Sequence, residues 1–176
     1  AEIVEIIAPS NFKLNNRFNP ICGSPIIKIK NNGSDDLTSL TVDYGVQGQQ
    51  VYTYNWTGNL GFLEEEEIML PPMDTADFYN AAEQIFEVSI SDPNGTDDEY
   101  LFNNSTYSTF DLAEVYNKQI VIWFLTNKRY WENSYTIYDV NGNEVFSRDF
   151  DQGSILYKDT LELPPGCYEF VAYDTG

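Results

Sequence analysis

Apolar positions recur along the chain in short runs with a period of two, each run closed by Gly, Pro, Asn or Asp. In "IIKIK", Ile27 and Ile29 alternate with Lys28 and Lys30, the spacing of a half-buried strand. In "QQVYTYNWTG", Tyr52, Tyr54 and Trp56 fall on one face. The stretches "EIVEIIA", "SPIIKIK", "LTSLTVDYGVQG", "QQVYTYNWTG", "EEEEIMLPP", "QIFEVSIS" and "STYSTFDLA" read as successive strands. About seven strands, each bounded by turn residues, is the number expected of an immunoglobulin-like sandwich. The segment "MDTADFYNAAEQIF" breaks the pattern. Its alanines permit about one helical turn, with Asp74 or Thr75 as its cap.

A second set of runs starts near Lys118: "QIVIWFLT", "SYTIYDV", "NEVFSRDF", "ILYKDTLEL" and "CYEFVAY". The fold class is therefore all-β, with two tandem β-sandwich domains. Residues 1–114 form an immunoglobulin/fibronectin III-like domain and residues 117–176 a smaller, jelly-roll-like one. Five strands leave an edge exposed, so the second domain is expected to be truncated at its C-terminus. Within it, "YDVNGNEV" predicts a hairpin with the three-residue loop Val140-Asn141-Gly142. A two-residue loop would set Asp139 against Glu144, like charges directly opposite. The longer loop sets Asp139 opposite Asn143 and Ile137 opposite Val145.

Charge narrows the partners. The 176 residues carry a net charge of −19, which repels nucleic-acid phosphates and anionic lipid surfaces. Neither nucleic acid nor membrane is expected as a partner, and no apolar run is long enough to span a bilayer. Histidine is absent, which removes Ser-His-Asp triads and His-ligated zinc. The chain is not expected to be an enzyme by itself. Cys22 and Cys167 read as buried thiols, with one long-range disulfide as the alternative.

Three clusters carry candidate chemistry. "DPNGTDDEYLFNN" gathers Asp92, Asn94, Asp97, Asp98 and Glu99, hard oxygen ligands of the kind calcium takes. The competing reading is a type I turn with Asp92 at i, Pro93 at i+1 and Gly95 at i+3, the remaining acids being solvated. Glu64–Glu67 form a second anionic run, read as charge protection of a strand edge. Of the three tryptophans, Trp56 and Trp123 sit in apolar runs and read as core. Tyr130 and Trp131 lie in polar "KRYWENS" and are the candidates for contact with a glycan.

"IKNNGSDDLTSLTVDYGVQGQQVYTYNWTGNL", with the later "DPNGTDDEYLFNN", resembles the CARDB-like immunoglobulin-type modules of secreted bacterial proteins. "SYTIYDVNGNEV" followed by "LELPPGCYEFVAYDTG" resembles the C-terminal β-sandwich of type IX-secreted hydrolases. Glu132, Asp139, Gly142, Val145, Pro164, Gly166, Cys167, Tyr168, Phe170 and Asp174 fall on that pattern. Tyr135 stands where tryptophan is usual, Asn127 where aspartate is common, and no cysteine lies shortly before Cys167. The resemblance implies a non-catalytic accessory or spacer pair, secreted or on the surface of a Gram-negative bacterium. Its partner is then an upstream catalytic domain of the same polypeptide, of peptide-N-glycosidase F-like or pappalysin-like metalloprotease type, the former preferred. The resemblance also implies that Asp174 opens an acidic calcium loop, incomplete in this chain. The alternative is a cell-surface adhesion module that binds a glycan or glycoprotein.

Overall fold

Strands that bury one face must find a second sheet to cover it, and both halves of the chain do so. The computed structural model describes residues 1–16, 19, 23–112 and 116–175. The chain divides into two compact units, Ala1–Ala113 and Glu114–Gly176.

The first unit has seven strands: β1 (Glu2–Ala8), β2 (Ile26–Lys30), β3 (Leu37–Val46), β4 (Tyr52–Leu60), β5 (Glu65–Met69), β6 (Ile85–Ser91) and β7 (Ser105–Thr109). One sheet runs β1-β2-β5 and the other β4-β3-β6-β7, all pairs antiparallel. Three strands facing four is immunoglobulin-like sandwich architecture. Ile27, Ile29 and Ile68 of the first sheet share one core with Val42, Tyr44, Trp56, Phe86 and Val88 of the second. On the outer face of the smaller sheet, β2 is laced to edge strand β5. Lys28 lies 3.2 Å from Glu67 and Lys30 3.4 Å from Glu65, each pair directly opposite in register.

The predicted helical turn is α1 (Thr75–Tyr79), capped by the Asp74 side chain on the Ala76 N–H. It buries Phe78 edge-on against Phe110, centroids 5.7 Å apart. Two strand tyrosines tie this connection down. The Tyr44 hydroxyl donates to Pro71 O at 2.9 Å, and the Tyr52 hydroxyl to Asp77 Oδ2 at 2.7 Å.

The second unit pairs β8 (Gln119–Leu125) with β11 (Leu156–Glu162) in one sheet. In the other, β9 (Asn133–Asp139) lies between β10 (Glu144–Asp149) and β12 (Tyr168–Asp174). Tyr135, Ile137 and Phe150 are the buried centre, with Phe124, Phe146 and Tyr157 packed around them. Trp123 corrects its assignment to the core. It is 63% exposed, with the Lys158 ammonium 4.1 Å from its ring centroid. The run "IVIWFL" is apolar on both parities, so alternation did not reveal which residues face inward. Ile122 and Phe124 turn in, and Trp123 turns out.

The β9–β10 hairpin has the predicted loop. Asp139 N–H donates to Asn143 O at 2.9 Å, and Gly142 sits at φ +78°. The predicted register holds for one pair more and then fails. Glu144 faces Tyr138, and a bulge then sets Phe146, not Val145, opposite Ile137. The bulge brings the larger ring to within 5.9 Å of Tyr135 and leaves Val145 outside. Burial of phenylalanine outweighs that of valine.

Candidate functional site

The outer face of the β4-β3-β6-β7 sheet carries a groove that the sequence reading did not single out. Outward side chains alternate with core ones, so Asp43 and Gly45 of β3, Glu87 and Ser89 of β6, and Ser105 and Tyr107 of β7 share this face. Register aligns them into two rows, Asp43–Ser89–Ser105 and Gly45–Glu87–Tyr107. Gly45 makes the groove possible. A Cβ there would meet the Gln50 carbonyl oxygen at 2.6 Å, so only glycine lets the β3–β4 connection fold back over the sheet. That connection turns at Gly48, φ +77°, and places Val51 as one wall. Tyr107, 68% exposed, stands on β7. The cavity between them has a volume of about 530 Å³, within the ~300–1,000 Å³ usual for small-ligand sites. A lone glycine inside a strand pattern signals close backbone approach; "DYGVQG" held that signal.

The acidic loop after β6 is built for closure. Gly95 N–H donates to Asp92 O at 2.9 Å, but Asn94 lies at φ +54°. A left-handed residue at i+2 makes the turn type II rather than the expected type I. Asn94 is held there by its side chain. Its Oδ1 accepts from Thr38 N–H at 2.7 Å, Thr38 Oγ1 at 3.0 Å and Ser39 N–H at 3.3 Å, while its amide donates to Asp36 O at 2.9 Å. Asp98 accepts from the Ala1 nitrogen at 2.8 Å and from Tyr100 N–H at 3.0 Å. Burial pushes its pKa up, and these hydrogen bonds, with the positive charge near Ala1, bring it below the ordinary value. Asp92 accepts from Ser91 Oγ, and Asp97 and Glu99 are exposed. Among the described residues, no three carboxylates or thiols are placed to hold a metal ion.

Asp174 ends β12 opposite Asn133. It meets Asn127 and Asn133 around a cavity of about 270 Å³, one carboxylate with two amides. Tyr130 and Trp131 sit edge to face, 5.3 Å apart. Trp131 is 67% exposed, while Tyr130 packs on the second core. Cys167 is disulfide-bonded and half-buried, not a buried free thiol; Cys22 lies outside the described residues.

The strongest electrostatic perturbation lies inside the second core. Tyr135 donates to Asp159 Oδ2 at 2.7 Å, and Arg148 lies 3.3 Å from Asp159 Oδ1. Burial, then the hydrogen bond and negative charge of Asp159, push the Tyr135 hydroxyl pKa far up, against a smaller opposing effect of Arg148. Asp139 is shifted down by the side-chain and backbone donors of Asn143. Among the described residues, no helix is long and apolar enough to cross a membrane. No protein-family model matches the chain, and no curated protein matches it.

Proposed function

We propose that the chain is a pair of non-catalytic accessory modules from a secreted multidomain bacterial hydrolase. They serve an upstream catalytic domain of the same polypeptide, with a peptide-N-glycosidase F-like parent preferred. The observation that carries this reading is the employment of the perturbed groups. Displaced acidity marks functional sites when it has no structural use. Here Tyr135 and Asp159 satisfy each other inside a core, Asp139 holds a turn, and Asp98 fastens a loop. The disulfide at Cys167 supports an oxidising compartment, as a secreted or cell-surface location requires. The likeness of the "WTGNL" and "LPPGCYEF" stretches to accessory sandwiches points the same way.

The test is turnover. The isolated chain is assayed against amidase, protease and glycosidase substrates, and no turnover is expected. Activity that vanishes when a single carboxylate is changed overturns the reading. A second reading, adhesion through glycan binding, is favoured by the exposure of Trp131 beside Tyr130.

A further inference from the structure

We infer that the groove on the outer face of the β4-β3-β6-β7 sheet binds a neutral saccharide chain, with Tyr107 as its stacking wall. The inference rests on the glycan-binding reading and moves the contact from Tyr130 and Trp131 to the first unit. Sugar hydroxyls both donate and accept, so a site for them needs both capacities over a flat area, together with an aromatic face for the C–H side of the ring. The two rows supply this. Asp43 is followed across the sheet by Ser89 and Ser105, and Glu87 by Tyr107. Neighbouring strands lie ~4.8 Å apart, so each row spans roughly 10 Å, wide enough for a sugar ring laid across it.

Both carboxylates are already oriented. Asp43 Oδ1 accepts from Thr53 Oγ1 at 2.5 Å, and Glu87 Oε1 accepts from Gln47 Nε2 at 2.9 Å. An ionised carboxylate offers about four acceptor positions, so each retains capacity for ligand hydroxyls. Holding these groups in place beforehand removes part of the ordering cost of binding. Gly45 keeps the floor free of a side chain, and its fit against Gln50 keeps the Val51 wall in place. The charge sets the class of sugar. Two carboxylates in the groove, on a chain of net charge −19, repel sialylated, sulfated and uronic chains. The hydroxyls of Ser89 and Ser105 along the lining favour a polyol over a cationic peptide, which would use the carboxylates alone.

The test is a glycan array probed with the whole chain, followed by calorimetric titration of the best neutral oligosaccharide. Neutral chains are expected to bind, anionic ones not. Tyr107→Ala is expected to lose at least ten-fold in affinity, while Tyr107→Phe stays within about two-fold, because the ring supplies the contact. Asp43→Asn is expected to weaken binding. Tyr107 is exposed, so its variants keep the fold, checked by circular dichroism. Loss with Trp131→Ala but not Tyr107→Ala overturns the groove and leaves the glycan-binding reading standing. No glycan bound by the native chain overturns both, without touching the accessory reading. Preference for anionic glycans overturns the inference, as does binding only to lysine-rich peptides that disappears at high salt.

Discussion

Tyr135 is the residue around which the second unit is organised. Its ring lies 5.8 Å from Phe124 and 5.1 Å from Phe170, and its hydroxyl reaches Asp159 on the facing sheet. A buried polar group is tolerated because its partner is present; removing one member strands the other. Tyr135→Phe is expected to cost about 1–2 kcal/mol of stability, by leaving Asp159 with an unmet hydrogen bond. Tyr135→Ala adds a cavity and is expected to cost about 3–5 kcal/mol. Chemical denaturation of both variants checks this. The raised Tyr135 pKa also fixes a pH dependence. Its contribution is fully present below the unfolded tyrosine value, about 10. Above that pH the unfolded chain loses the proton first, so stability falls as pH rises toward the folded value. Alkaline titration of the melting temperature is expected to be flatter in Tyr135→Phe than in the native chain. An equal slope in both would show that Tyr135 is not the linked group.

At the scale of elements, connections decide how strands are held. Asn94 joins the β6–β7 loop to the start of β3 through four hydrogen bonds, from a left-handed backbone. Asn94→Gly keeps that backbone and removes the bonds; Asn94→Ala does both kinds of damage. The alanine variant is expected to lose about 2 kcal/mol, and the glycine variant about 1 kcal/mol less than that. Equal losses would mean that the backbone conformation contributes nothing. At the β9–β10 turn, Asp139 accepts from Asn141 N–H at 2.8 Å and Asn143 N–H at 2.9 Å. Its pKa is depressed, so its contribution is present above the unfolded aspartate value, about 3.9, and lost as pH falls below it. Asp139→Ala is expected to lower the melting temperature at neutral pH, by an amount that shrinks as pH falls from the unfolded aspartate value toward the lower folded one. The segments themselves were legible: β2 and β6 alternate cleanly, and turn residues bound each run. The bulge at Val145 was not, since pairing Ile137 with Val145 or with Phe146 is equally apolar in sequence.

For the molecule as a whole, the two units differ in how much they bury. Among the described residues, the first core joins both sheets through aromatic and branched side chains from all of β1–β6, whereas the second centres on Tyr135, Ile137 and Phe150. Domains of about 60 residues bury a smaller share of their surface and are marginal. Calorimetry is therefore expected to show two transitions, the second unit melting first. Ile137→Ala is expected to lower only the first transition, and Val88→Ala only the second. A single transition moved by both variants would overturn the separation.

The sequence by itself determined the elements. Alternation at period two marks strands because a strand's side chains leave on opposite faces, and that rule acts within a few residues. Glycine, proline and asparagine punctuate the runs for equally local reasons, and Asp74 announced the α1 cap. The core role of Trp56 and the loop of the β9–β10 hairpin were local as well. The tertiary structure decided what residues far apart in sequence do together. Asn94 stands in an acidic stretch that suits calcium, yet its oxygen is occupied by Thr38 and Ser39. Trp123 lies in a run apolar on both parities, and only the pairing of β8 with β11 sets its face. The groove is the fullest case: Asp43, Glu87 and Tyr107 lie in three separate strands and meet only through register. Gly45 was the one local sign of it, because a missing side chain is visible in sequence, while the backbone that comes to rest over it is not.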